Sequence, residues 1–228
     1  MQVTILLLSV ILGGLLGAFL SKTKDNHTKL ALALSGSYLF AISILHLIPE
    51  AYSINHNHNI GIAILGGFFF QLLLEFFSKG IEHGHTHGHP ENPFPLAIII
   101  SLCAHAFTEG LPLGIESTEE ASPLLWAIAI HKIPVAFILT LFLIEAGSKK
   151  RTTFLVLLTF AIMAPLGSFC TSNFSIFNTH QEYILGIAIG IFLHVSTTIL
   201  FESSENHRFN LFKFAAINLG AGLAFITH

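Results

Sequence analysis

Apolar residues run through this chain in long blocks separated by short polar connections. The blocks cover about residues 2–21, 29–54, 60–80, 94–117, 122–147, 151–173, 180–203 and 209–227. A helix needs ~20 mostly apolar residues to cross the hydrocarbon core of a bilayer, so the pattern predicts eight transmembrane helices. In hydrocarbon the backbone must find its partners within the protein, which only helices and closed barrels achieve. These blocks are too long and too continuous for barrel strands. The predicted fold class is therefore all-α, a polytopic membrane helix bundle, with residues 1–228 forming one transmembrane domain.

Composition strengthens that reading. The chain is 53% hydrophobic and only 10% charged, whereas a soluble domain carries about 25% charged residues. The net charge of −3 comes without a basic cluster, so no nucleic-acid partner is expected. Cys103 and Cys170 lie in separate apolar blocks and read as small buried hydrophobes, not as a disulfide.

Charge sets the orientation. Lys22, Lys24 and Lys29 lie in or beside the first connection, Lys79 ends the third block, Lys149, Lys150 and Arg151 fill the fifth connection, and Arg208 and Lys213 flank the seventh. With eight spans all of these share one side, which is then cytoplasmic. The opposite connections carry Glu116, Glu119, Glu120 and Glu182 and no Lys or Arg. Both termini are expected outside, in a plasma or inner membrane. No positive charge precedes the first block and lysines follow it, so it reads as a retained span, not a signal peptide.

Several polar groups interrupt the apolar blocks, where they are costly and by default functional. His105 and Glu109 are four residues apart in the fourth block, on one helix face about one turn apart. Pro112 removes the amide partner of the Thr108 carbonyl, and Gly110 and Gly114 permit close helix approach. The fifth block holds His131, with Pro134 freeing the Ile130 carbonyl. As neighbouring antiparallel spans, the two blocks can bring both imidazoles and Glu109 to one depth. Two imidazoles and a carboxylate suit zinc and comparable metals; a His–Glu hydrogen bond stapling two helices is the plainer alternative. Lys132 lies about ten positions inside its span. Its ammonium must snorkel, pair with a carboxylate or lose its proton, and it is a candidate for the place of a second cation.

Weaker signals lie elsewhere. The connection over about 81–93 alternates His83, His85, His87 and His89 with small residues, a flexible cytoplasmic loop suited to loose metal capture. His56 and His58 form a smaller echo in the second connection. His46 and Glu50 flank Pro49 near the outer end of the second span, placed either for metal entrance or as a helix-end pair. His194 reads as an inter-helix hydrogen bond, Gln71 and Glu75 as packing and an inner-end carboxylate, and Glu202, Glu205 and His207 as a solvated end. The shared explanation of the histidines is a divalent metal crossing the membrane.

The stretch His105-Ala-Phe-Thr-Glu-Gly-Leu-Pro-Leu-Gly, followed by His131-Lys-Ile-Pro-Val-Ala-Phe, resembles the fourth and fifth helices of ZIP (Zrt/Irt-like) metal transporters, in the branch whose fifth helix begins His-Lys. Leu47-Ile-Pro-Glu, Ala164-Pro-Leu-Gly and Gly190-Ile-Phe-Leu-His-Val extend the likeness to the second, sixth and seventh helices. The resemblance implies an inverted-repeat bundle in which helices one, four, five and six move as an elevator against two, three, seven and eight. It also implies a homodimer and import of zinc, or of Fe2+, Mn2+ or Cd2+, with the ion as substrate and no cofactor. His105, Glu109 and His131 fall on the family's transport site and His46 near its outer entrance. Where many members build a second metal site, this chain has Ala106, Lys132, Val135 and Ala164, and Ile199 stands near the place of a seventh-helix carboxylate. A mononuclear site is therefore expected, with Lys132 as the surrogate for the second charge.

Two rival functions follow from the same ligands. A cation-diffusion-type exporter uses similar histidines but usually has six spans and a soluble domain. A membrane-embedded zinc metalloenzyme would need an activated water beside the ion, yet the chain has no HExxH and no obvious second carboxylate as base. The expectation is a transporter and not an enzyme.

Overall fold

Long apolar blocks become long helices because only an unbroken helix satisfies its own amides in hydrocarbon. The computed structural model describes residues 1–20, 25–54, 59–83, 96–115, 121–202 and 211–226. Helices α1 (Gln2–Phe19), α2 (Asp25–Ile42), α3 (Ile48–Ile54), α4 (Asn59–Ser78), α5 (Leu96–Gly110), α6 (Ala121–Glu145), α7 (Lys150–Asn173), α8 (Ser175–Asn178), α9 (Gln181–Glu202) and α10 (Leu211–Ile226) follow in order. Seven helical stretches among the described residues are long and apolar enough to cross a membrane. The eighth expected span coincides with α10, whose 16 residues extend about 24 Å at 1.5 Å per residue. Large apolar side chains such as Leu12, Phe69, Phe76, Leu158 and Phe169 are exposed on the outside, as suits a polytopic bundle facing lipid.

Proline marks the local departures. Pro49 has no amide to bond the Leu45 carbonyl, and α2 passes into α3 through a π turn over Ser43–Leu47 in which the Ile48 amide bonds Ser43 O. Pro112 falls where α5 gives way to a 3-10 turn over Leu111–Gly114. Pro134 and Pro165 stay inside α6 and α7. The α6 end is closed by Gly147 in the left-handed region (φ 71°), the usual conformation past a helix C-terminus. Cys103 and Cys170 are free thiols and only half-buried, more open than the sequence suggests.

The helices pack in pairs: α1 on α6, α5 on α7, α4 on α9 and α2 on α10. Further contacts of α1 with α7, α2 with α9, α2 with α6 and α4 with α5 join the pairs into one bundle. As successive spans, α5 and α6 are expected to be direct neighbours. Instead each packs chiefly on other helices, and their ligand-bearing side chains meet in the space between.

Small residues carry these pairs, as expected where lipid is as apolar as the protein. Gly13 lies against Ile133 O, Gly67 against Ile187 O, Gly110 against Ala164 O and Gly220 against Leu34 O. A Cβ at Gly110 would overlap the Ala164 backbone, which no side-chain rotation relieves. Gly110→Val is expected to cost at least the 1–3 kcal/mol typical of overpacking, read as a lower melting temperature in detergent.

Candidate metal centre

The centre is assembled from two helices that hardly touch elsewhere. His105 and Glu109 lie one turn apart on α5, with His105 Nε2 3.1 Å from Glu109 Oε1. His131 on α6 brings its Nε2 to 4.0 Å from the same oxygen. Among the described residues this is the only group of three His, Cys, Asp or Glu side chains with ligand atoms mutually within 4.8 Å. All three residues are buried, none more than 1% exposed.

The outer ring nitrogens are held from α4 and α2. His105 Nδ1 is 2.9 Å from Gln71 Oε1 on α4, and His131 Nδ1 is 3.4 Å from Ser35 Oγ on α2. The Ser35 hydroxyl donates to Leu32 O, so its oxygen accepts from the imidazole. An amide oxygen and a hydroxyl oxygen both call for Nδ1–H, and in a neutral imidazole this leaves the Nε2 lone pair on the side of Glu109 Oε1. Metal-binding histidines are oriented in this way.

Lys132 is 1% exposed, so it does not snorkel. Its Nζ lies 2.8 Å from Glu109 Oε2 and 5.0 Å from the Phe160 ring centroid, close enough for a cation–π contribution. The two oxygens of Glu109 thus divide their work. Oε1 faces the imidazoles, and Oε2 neutralises the ammonium on the far side. Ala106, Val135 and Ala164, the positions at which the resemblance implies further ligands, are buried apolar residues.

The remaining sequence candidates lie apart from this group. His46 sits on the π turn with Nε2 3.4 Å from Ala224 O of α10, and Glu50 lies on α3. His194 Nε2 is 3.4 Å from Glu75 Oε2, an α4–α9 pairing of the kind expected of it. His85, His87, His89, His56, His58, Glu205 and His207 lie outside the described residues. Of His83 only the backbone is described, closing a 3-10 turn over Ile81–His83. Three residues escaped the sequence reading as neighbours of the site: Ser35, Gln71, which was assigned to packing, and Glu82, described below. A glutamine inside an apolar block was the one available signal.

A family model described as ZIP Zinc transporter matches residues 94–228, more than half of the chain and all three donors. Zinc transporter ZIP9-B of Xenopus laevis is 33% identical over 168 residues, 64% of this chain and 55% of that protein. Zinc transporter ZIP2 of Homo sapiens is 29% identical over 156 residues, 63% of this chain and 50% of that protein. Protein zntD of Dictyostelium discoideum is 30% identical over 170 residues, 65% of this chain and 25% of that protein. The matches span about half the length of the first two relatives and a quarter of the third. With buried donors between apolar helices and a family match that contains them, the chain belongs to the ZIP zinc transporter family.

Proposed function

We propose that this protein imports a divalent metal, zinc foremost, through a single-ion site made of His105, Glu109 and His131. The observation that carries the reading is three buried donors within 4.8 Å of one another between apolar helices. Three protein ligands leave an exchangeable fourth position on zinc, which suits an ion that must enter and leave. Fe2+, Mn2+ and Cd2+ are secondary cargoes, since such ligands bind several divalent ions. The Lys132–Glu109 pair supports a mononuclear reading, because an ammonium 2.8 Å from Glu109 Oε2 can supply the charge of a second cation.

The family resemblance adds an elevator movement of one helix group, α1, α5, α6 and α7, against the other, α2, α4, α9 and α10. The His105–Gln71 and His131–Ser35 hydrogen bonds both cross between the groups, and sliding would exchange them. His46 and Glu50 are assigned to the outer entrance. His83, His85, His87 and His89 are assigned to loose capture on the cytoplasmic side, with both termini outside and two copies forming a dimer. The lysine and arginine distribution supports this orientation.

Ligands do not encode direction, so export remains the rival to import. Purified protein in proteoliposomes of known orientation is expected to admit radiolabelled zinc from the face bearing the termini. Flux in the opposite sense only would favour an exporter. Metal-dependent hydrolysis without flux would favour a metalloenzyme.

A further inference from the structure

Glu82 is a buried carboxylate that the transport chemistry above does not use. Its position depends on how α4 ends. Lys79 (φ 57°) and Gly80 (φ 70°) are both left-handed, and they fold Ile81–His83 back so that Ile81 and Glu82 are each only 1% exposed. A carboxylate buried there needs hydrogen-bond donors. Glu82 Oε1 lies 3.3 Å from Gln71 Nε2 and 2.8 Å from Ser78 Oγ. Its Oε2 is buried and has no hydrogen-bond partner among the described residues.

The consequence reaches His105 through Gln71. A carboxylate only accepts, so it draws the Gln71 amide NH2 toward itself and leaves Gln71 Oε1 facing His105. That oxygen is 2.9 Å from His105 Nδ1 and requires the proton to sit on Nδ1. Nε2 then keeps its lone pair, 3.1 Å from Glu109 Oε1, available to a metal. With Gln71 turned over, its NH2 would face Nδ1 and the proton would move to Nε2. An Nε2–H would donate to Glu109, stapling the two ligands together and closing the site to a cation. The competing arrangement is a good hydrogen bond, so something must select against it.

We infer that Glu82 is a positioning residue that acts through Gln71 to hold His105 in its metal-accepting tautomer. The inference rests on the proposed transport site and adds a buried chain, Glu82 to Gln71 to His105, that sets its readiness. His131 has a simpler arrangement, because the Ser35 hydroxyl proton is already committed to Leu32 O.

The test measures the KM for zinc flux in proteoliposomes of the full chain. Glu82→Gln keeps the shape but lets either face of the Gln71 amide turn inward. It is expected to raise KM about tenfold, the lower end of what outer-shell partners contribute to metal sites. Gln71→Met, which removes the acceptor outright, should do at least as much. The swapped pair, Gln71→Glu with Glu82→Gln, places an acceptor-only group directly against His105 Nδ1 and should return KM to within about twofold of wild type. A purely structural role would not give that rescue. A wild-type KM in Glu82→Gln or in Gln71→Met, or a swapped pair no better than Glu82→Gln, overturns the inference while leaving the site intact. Wild-type protein without zinc flux, or His105→Ala with full flux, overturns the site and this inference with it.

Discussion

Glu109→Ala is expected to abolish zinc flux and to destabilise the protein by about 3–5 kcal/mol, the cost of removing one partner from a buried ion pair. The flux is lost because Oε1 is the donor shared between His105 and His131, at 3.1 and 4.0 Å. The stability is lost because Lys132, 1% exposed, is left as an uncompensated ammonium beside Phe160. The two effects are separable. Adding Lys132→Met to Glu109→Ala removes the stranded charge, and replacing a buried pair by apolar side chains is often neutral or stabilising. The double variant should melt near wild type in detergent while zinc flux stays absent. A single Glu109→Ala variant that melts like wild type would contradict the buried pairing.

Lys132→Ala is the complementary case and tests the proposed role of the ammonium as a stand-in for a second cation. With no ammonium at Oε2, Glu109 becomes a buried anion whose compensating charge must come from the transported ion. The metal-free protein should again lose about 3–5 kcal/mol. Bound zinc should restore it, since a ligand that binds only the folded state stabilises in proportion to the logarithm of its excess over Kd. The melting temperature therefore becomes more strongly zinc-dependent than in wild type. In flux, a tighter ion leaves more slowly, so kcat and KM fall together and the preference among Zn2+, Fe2+, Mn2+ and Cd2+ changes. Wild-type kinetics with wild-type metal preference in Lys132→Ala would remove its role as charge surrogate.

Much of this molecule was legible in the order of its residues, because lipid leaves a helix few alternatives. The apolar blocks located the spans, and the four-residue spacing of His105 and Glu109 located half of the centre. The spatial meeting with His131 could be argued from the shared depth of two adjacent spans, although α5 and α6 turned out to pack chiefly on other helices. What sets that geometry is glycine against backbone, as at Gly110 and Ala164, and such contacts have no periodic signature. The outer hydrogen bonds were not legible for a related reason. Ser35 and His131 are 96 positions apart and Gln71 and His105 are 34 apart, so only the fold brings them together. Glu82 was hidden further, since two left-handed residues after α4 return it to the interior from what reads as a polar connection. Lys132 was ambiguous among snorkelling, pairing and deprotonation until its distance to Glu109 showed pairing.

Whether His105, Glu109 and His131 together hold the ion in transit is tested most directly by initial zinc flux in proteoliposomes, compared for wild type, His105→Ala and His131→Ala at equal reconstituted protein. Flux that saturates with zinc in wild type and falls to the protein-free background in both variants is the expected result. Saturable flux undiminished in His105→Ala and in His131→Ala would contradict it.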